Sequence, residues 1–276
     1  MLPDLHMHTC YSHDGAPHST VDALCQRAIE LGLPAIAITD HFDINRELAA
    51  TNVRTLPRDL IYRDVLAARE KYGDRLLVLH GVELGQAIAH PERSVELIGE
   101  LPYDIVLGSV HNLENEQDFA FFDFAKISDD EAHAYFDRVI AEEMQLCDFD
   151  GIHVITHLTY MDRYMHRAGK ALDITPHKDT LSRLLEKIVQ KGLTLELNTS
   201  CLGDDLGMPT PEILSLYRSL GGTRVCLGSD GHFPERITQH FDKGAKILLD
   251  CGFTELTLPT RTQTLTYPIP RRTTNV

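Results

Sequence analysis

The sequence predicts an α/β fold in which a parallel sheet is covered by helices. Two observations carry this. Short apolar or β-branched runs alternate along the chain with longer stretches of helical period. The apolar runs, AIAIT and VCLG among them, show no polar alternation, so both faces of those strands are buried. About seven β-α repeats follow one another with no internal linker, and a barrel or a doubly wound sheet satisfies that pattern equally.

Taken in order, residues 2–8 read as a first strand. Next comes a helix, VDALCQRAIELG, from Val21. Thr20 and Asp22 offer capping oxygens at its start, and Gly32 with Pro34 stops it. AIAITDH from Ala35 is the second strand, PRDLIYRDVLAAREKYG a helix, RLLVLHGVELG from Arg75 a strand, and YDIVLGSVH from Tyr103 another. Residues 112–127 are aromatic and irregular, which reads as a lid or active-site loop. A long helix begins at Ser128, where Ser128 and Glu131 fit a capping box. The strand GIHVITH from Gly151 and a helix over 176–191 come next. LTLELN from Leu193, the helix PTPEILSLYRSLG, the strand TRVCLGSD from Thr223 and a helix over 235–251 complete the series. Residues 259–276 read as an edge extension or loose tail of a single domain spanning 1–276.

Composition narrows the function. Hydrophobic residues make up 43% and charged residues 24% of the 276, as in an ordinary globular domain. Lys and Arg total 26 against 41 Asp and Glu, a formal charge of -15 that repels polyanions and argues against long nucleic acid as a partner. No apolar run approaches the ~20 residues that cross a bilayer, and MLPDLHMHTC lacks the features of a secretory signal, so the expectation is a cytoplasmic protein without a membrane partner. The six cysteines are scattered with no CxxC pair, which fits buried thiols better than a disulfide framework or a zinc knuckle. Nothing in the sequence fixes an oligomeric state.

The informative residues are histidines and carboxylates at strand ends: His6 and His8, Asp40 and His41, Glu83, His111, His157, and Asp230 with His232. In a parallel α/β fold those ends lie on one face, where active sites form. Period-two geometry turns His6 and His8 to one side, and likewise Asp230 and His232, so each pair can clamp one ion. Imidazole and carboxylate suit Zn, Fe or Mn, and the cluster exceeds the three or four ligands of a single site. Two or three metals are implied. Such a site activates water and neutralises charge on a phosphoryl oxygen, the requirements of phosphate ester hydrolysis. No Ser elbow, Walker loop or GxGxxG turn offers a competing mechanism.

These residues sit in DLHMHTCYSHDG at 4–15, ITDHF at 38–42, GVELG at 81–85, GSVH at 108–111, THL at 156–158 and GSDGH at 228–232. In that order they resemble the motifs of the polymerase and histidinol phosphatase (PHP) superfamily. HLTYMDRY, ELNTS and the overall size resemble its stand-alone histidinol-phosphate phosphatases in particular. The resemblance implies a distorted (β/α)7 barrel with three divalent metal ions at its C-terminal mouth, a small phosphorylated substrate and a phosphate product. It also implies ligand sets: His6, His8, Glu83 and Asp230 for one ion, Glu83, His111 and His157 for a second, and Asp14, His41 and His232 for a third. In SHD, Asp14 or His13 fills the third position. Asp230 or His232 would shuttle protons to the leaving alkoxide, and Arg163 with Tyr164 would contact substrate. The family arginine after ELNTS is missing, since this chain reads CLGDDLG from Cys201, and Arg236 is a candidate replacement.

Other histidines, His18, His80, His90, His133, His166, His177 and His240, read as surface or satisfied core residues. His153 shares the alternation of His157 but lies deeper in its strand, where burial explains it. The aromatic cluster from Phe119 to Phe124 reads as core or loop packing.

Overall fold

The computed structural model describes residues 1–44 and 56–271. Its main sheet has seven strands and is parallel throughout. β1 (Ala35–Ile38), β3 (Leu77–Gly85), β4 (Ile105–Ser109), β5 (Val154–Ile155), β6 (Thr194–Asn198) and β7 (Val225–Gly228) are neighbours in that order, and β2 (His41–Asp43) also pairs with β3. β2 continues β1 along β3 in one register, with Ala35 opposite Leu77 and His41 opposite Glu83.

The expected first strand forms only isolated bridges, yet it closes the ring. Asp4 and Met7 exchange backbone hydrogen bonds with β1 and Thr39 on one side. On the other side Leu5 and His8 donate to Leu227 and Gly231, while Asp230 donates to the His6 carbonyl. The result is a distorted barrel, so the doubly wound alternative is discarded.

Helices α1 (Val21–Leu31), α2 (Arg58–Tyr72), α3 (Pro91–Glu100), α4 (Asp129–Leu146), α5 (Tyr160–Arg167), α6 (Lys178–Lys191), α7 (Pro211–Ser219) and α8 (Phe241–Asp250) accompany it. Thr20 caps α1 through the Ala23 N–H, and Gly32 ends it at φ 71°. Ser128 and Glu131 form the expected capping box on α4. Two departures have clear causes. α3 escapes the sequence reading because it is short and its start has no capping side chain. The last helix begins at Phe241, well after residue 235, because Pro234–Arg236 form a 3-10 turn and Thr238 and His240 take positive φ angles, 57° and 60°, which no helix accommodates.

The barrel interior is layered. Leu5, Ala37, Leu79, Leu107, Val154 and Cys226 form an apolar floor. Period two carries β3 from Leu79 in that floor up to Glu83, and β4 from Leu107 up to Ser109, so the same faces that pack below present polar groups above. Residues expected to be an extension or tail instead contribute to a hairpin, β8 (Glu255–Pro259) and β9 (Thr264–Pro268). Its Leu258 joins the floor cluster and plugs the bottom of the barrel. Residues 272–276 of that stretch lie outside the described residues. No helix among the described residues is long and apolar enough to cross a membrane.

Candidate metal centre

The strand ends deliver His6, His8, Glu83, His111, His157 and Asp230 to one buried place. Glu83 is its hub. His6 Nε2 lies 3.3 Å and His8 Nε2 3.6 Å from Glu83 Oε2, and the same two nitrogens lie 3.8 and 3.3 Å from Asp230 Oδ1. On the other oxygen, His111 Nε2 and His157 Nε2 approach Glu83 Oε1 at 3.0 and 2.8 Å. Above them, Asp14 lies 3.0 Å from His232 Nε2 and 3.8 Å from His41 Nε2, while His41 Nδ1 reaches Glu83 Oε2 at 2.7 Å. His13 and Asp14 both stand at the rim, about half exposed; the Asp14 carboxylate has these contacts to His41 and His232, while the His13 ring is tilted against that of His41 at 5.3 Å.

Backbone geometry aims two of these side chains. His157 and Asp230 hold φ at 27° and 52°, a region that non-glycine residues enter at a cost of order 1–3 kcal/mol. The His157 N–H is held by Glu196 Oε2 at 2.9 Å and the Asp230 N–H by the His6 carbonyl at 2.8 Å. Fixed hydrogen bonds thus offset the strain.

Burial opposes charge on Glu83, but His41, His6 and His111 around it outweigh that and hold its pKa well below the carboxylate range. His8 is driven the other way, first by burial and then by His41 and His232, so its ring is kept neutral with a lone pair to give. His6 Nε2 and His8 Nε2 are buried and complete no hydrogen bond among the described residues, although buried polar atoms are normally satisfied. Four overlapping groups of three donors, His6–His8–Asp230, His6–Glu83–His157, His8–His41–His232 and His41–Asp43–His111, each bring one ligand atom per residue within 4.8 Å of the others. Nitrogen and carboxylate donors at these spacings fit divalent ions of Zn, Fe or Mn character.

Over the cluster lies a cavity of about 400 Å³, bordered by Asp14, His41, His111, His157, Asp230 and His232 below and by Arg163, Tyr160, Tyr164, Asp118 and Phe121 on its walls. Arg163 places Nη1 3.7 Å from Asp230 Oδ2, and its buried Nε has no hydrogen-bond partner among the described residues. Tyr164 shares a 2.7 Å hydrogen bond with Tyr160. Arg236 does not join them. Its guanidinium donates to Gln239 Oε1 at 2.9 Å and lies over the Phe233 ring, because the turn at Pro234–Arg236 directs it outward. Residues 112–127 do border the cavity, through Asp118 and Phe121. Phe119 and Phe124 are core, as the packing reading has it, whereas Phe121 is 71% exposed at the rim.

Sequence reasoning missed two carboxylates. Asp43 accepts from His111 Nδ1 at 2.8 Å and Glu196 from His6 Nδ1 at 2.7 Å. The signals existed: Asp43 is two residues beyond His41 on one strand, and Glu196 is a lone charge inside the apolar run LTLELN. Asp40 serves the neighbouring loop, accepting from the Thr9 backbone and from the hydroxyls of Thr9 and Ser12. His153 is a fold residue, its Nδ1 accepting from the Val106 N–H at 3.0 Å.

A seven-stranded parallel barrel with a histidine–carboxylate cluster at its C-terminal mouth defines a barrel metalloprotein of the hydrolase type. The chain belongs to the PHP domain family, which matches residues 4–200. A histidinol-phosphatase of Lactococcus lactis is 25% identical over 262 residues, 92% of each chain. A Thermotoga maritima protein named "Probable histidinol-phosphatase" is 27% identical over 248 residues, 87% of each. Among solved structures, the Lactococcus lactis histidinol phosphate phosphatase, complexed with Zn, L-histidinol and phosphate, superposes with a TM-score of 0.79. It covers 96% of this chain and 100% of its own at 21% identity, a likeness of fold.

Proposed function

We propose that this chain hydrolyses L-histidinol phosphate to L-histidinol and phosphate, as a cytoplasmic enzyme of histidine biosynthesis using three divalent ions. The observation that carries the reading is Arg163. A guanidinium with an unused buried N–H stands beside Asp230 at the edge of the ligand cluster, where a planar, multidentate donor suits a phosphoryl group.

The ions would be held by His6, His8, Glu83 and Asp230, by Glu83, His111 and His157, and by Asp14, His41 and His232. The contacts of Asp14 to His41 and His232 support it over His13 as the third-site ligand. Bound there, they would supply an activated water nucleophile and neutralise charge on the phosphoryl oxygens. In the hydrolysis the water oxygen bonds to phosphorus as the ester P–O bond breaks, and Asp230 or His232, at the cavity edge, takes up the proton that the water loses and relays it to the leaving alkoxide. Asp118 and the rings of Tyr160, Tyr164 and Phe121 give the remaining wall the acidic, aromatic character that suits an aminoalkyl imidazole.

The test is a kcat/KM comparison of L-histidinol phosphate with other phosphomonoesters, mononucleotides and short phosphodiesters, with and without chelation. Histidinol phosphate should rank first and chelation should abolish turnover. A nucleotide ranking above it would overturn the substrate. Undiminished turnover by His8→Ala would overturn the catalytic cluster.

A further inference from the structure

Every ring nitrogen that faces an ion must have its lone pair directed there, and the tautomer is set by what the other nitrogen does. For His6 the other nitrogen is Nδ1, 2.7 Å from Glu196 Oε1. Since a carboxylate only accepts, Nδ1 carries a proton, which leaves Nε2, facing Glu83 and Asp230, as the nitrogen that would give its lone pair to an ion bound there. The second oxygen of Glu196 accepts the His157 N–H at 2.9 Å, at a backbone position whose φ of 27° needs holding. One buried carboxylate therefore acts on a ligand from the first strand segment and on a ligand from the end of β5. Its side chain is 1% exposed.

The neighbouring strand is shaped for it. Gly228 sits beside Asn198 in the β6–β7 register, and a Cβ there would overlap Glu196 Oε1 and stand 2.6 Å from His6 Cβ. The only residue type that leaves that volume open is glycine.

We propose that Glu196 is the positioning residue of the cluster: it sets the His6 tautomer and pins the His157 backbone, and Gly228 is glycine to admit it. This rests on the metal-binding reading above. It assigns to the ELNTS segment a role in metal affinity.

The test is metal binding, independent of turnover. Wild type, Glu196→Ala and Glu196→Gln are stripped and titrated with Zn against a chromogenic chelator, with bound metal counted by elemental analysis and folding followed by near- and far-UV circular dichroism. Removing such a partner should weaken affinity roughly 10- to 100-fold in a protein that stays folded. Glu196→Gln keeps the volume and one acceptor oxygen, so it should lose less than Glu196→Ala, yet it cannot accept from both His6 and His157 and should still bind more weakly than wild type. Folded Glu196→Ala with wild-type affinity would overturn the proposal. Should that variant not fold, wild-type affinity in Glu196→Gln would overturn it equally. A wild-type chain that binds no Zn at all would instead sink the metal reading itself.

Discussion

Asp43 and His111 are joined at 2.8 Å, Oδ1 to Nδ1, across the face of Gly85, whose missing side chain is what lets them meet. A Cβ on Gly85 would overlap Asp43 Oδ1 and stand 3.2 Å from His111 Nδ1. The pair orients His111 Nε2 toward Glu83, much as Glu196 orients His6. Gly85→Ala should therefore lower metal affinity or activity roughly 10- to 100-fold, with Asp43→Asn falling in the same direction. Wild-type metal affinity in folded Gly85→Ala would contradict the role given to this pair.

Arg163 should be sensitive to a change that keeps its charge. Lysine offers one point charge in place of a planar fork, and its shorter donor array cannot span a phosphoryl group. Arg163→Lys should raise KM for histidinol phosphate about tenfold or more while leaving Zn affinity unchanged. Steady-state kinetics beside the chelator titration checks both halves, and loss of metal without change in KM would place Arg163 among the structural residues.

Asp118 should matter for the cationic end of the substrate alone. Its Oδ1 also caps the Ala120 N–H at 2.8 Å, and asparagine caps a turn as well as aspartate, so Asp118→Asn removes charge with little cost to the loop. Turnover of L-histidinol phosphate should fall several-fold in kcat/KM, while p-nitrophenyl phosphate, which carries no cation, should be cleaved as before. Equal losses on both substrates would show the effect to be general.

His80 ties stability to pH. Buried at 1% exposure and stacked on Tyr103 at 4.4 Å, its ring is pushed down to about 4, chiefly by burial, with the Arg69 charge adding to it. A base whose pKa is lower folded than unfolded stabilises the fold above its unfolded value near 6.5 and loses that contribution as pH falls toward 4. Over that window the loss is on the order of 3 kcal/mol. His80→Phe keeps the stacked ring and should flatten this acid limb in urea unfolding measured from pH 7 to 4. An unchanged slope would show that other groups set it.

The cluster of histidines and carboxylates was legible because its signal is local. HMH and DGH declare their geometry by alternation, and Asp40-His41, Glu83, His111 and His157 each end an apolar run. Helix starts at Thr20 and Ser128 were legible for the same reason, since a cap acts within three residues. What escaped depends on partners remote in sequence. Glu196 meets His6 across 190 positions, and Asp43 meets His111 across 68. Arg236 stands in a motif that suggested substrate, yet a local turn sends it outward to Gln239. The floor contributed by Leu258 could not be read from ELTLP, whose sequence alternates like that of an exposed hairpin strand although Leu256 to Pro259 are all buried.

By itself the sequence determined the chemistry on offer: parallel strands buried on both faces, and imidazoles and carboxylates at their carboxyl ends. Only the tertiary structure decided how those groups are aimed. It closed the ring through residues 4–8, let Glu83 divide its two oxygens between opposite groups of histidines, and cleared space at Gly85 and Gly228 for the carboxylates behind them. The physical reason is range. Side-chain alternation and capping are settled by neighbours along the chain, whereas a lone pair's direction is settled by whichever group the closed barrel brings to the other side of the ring.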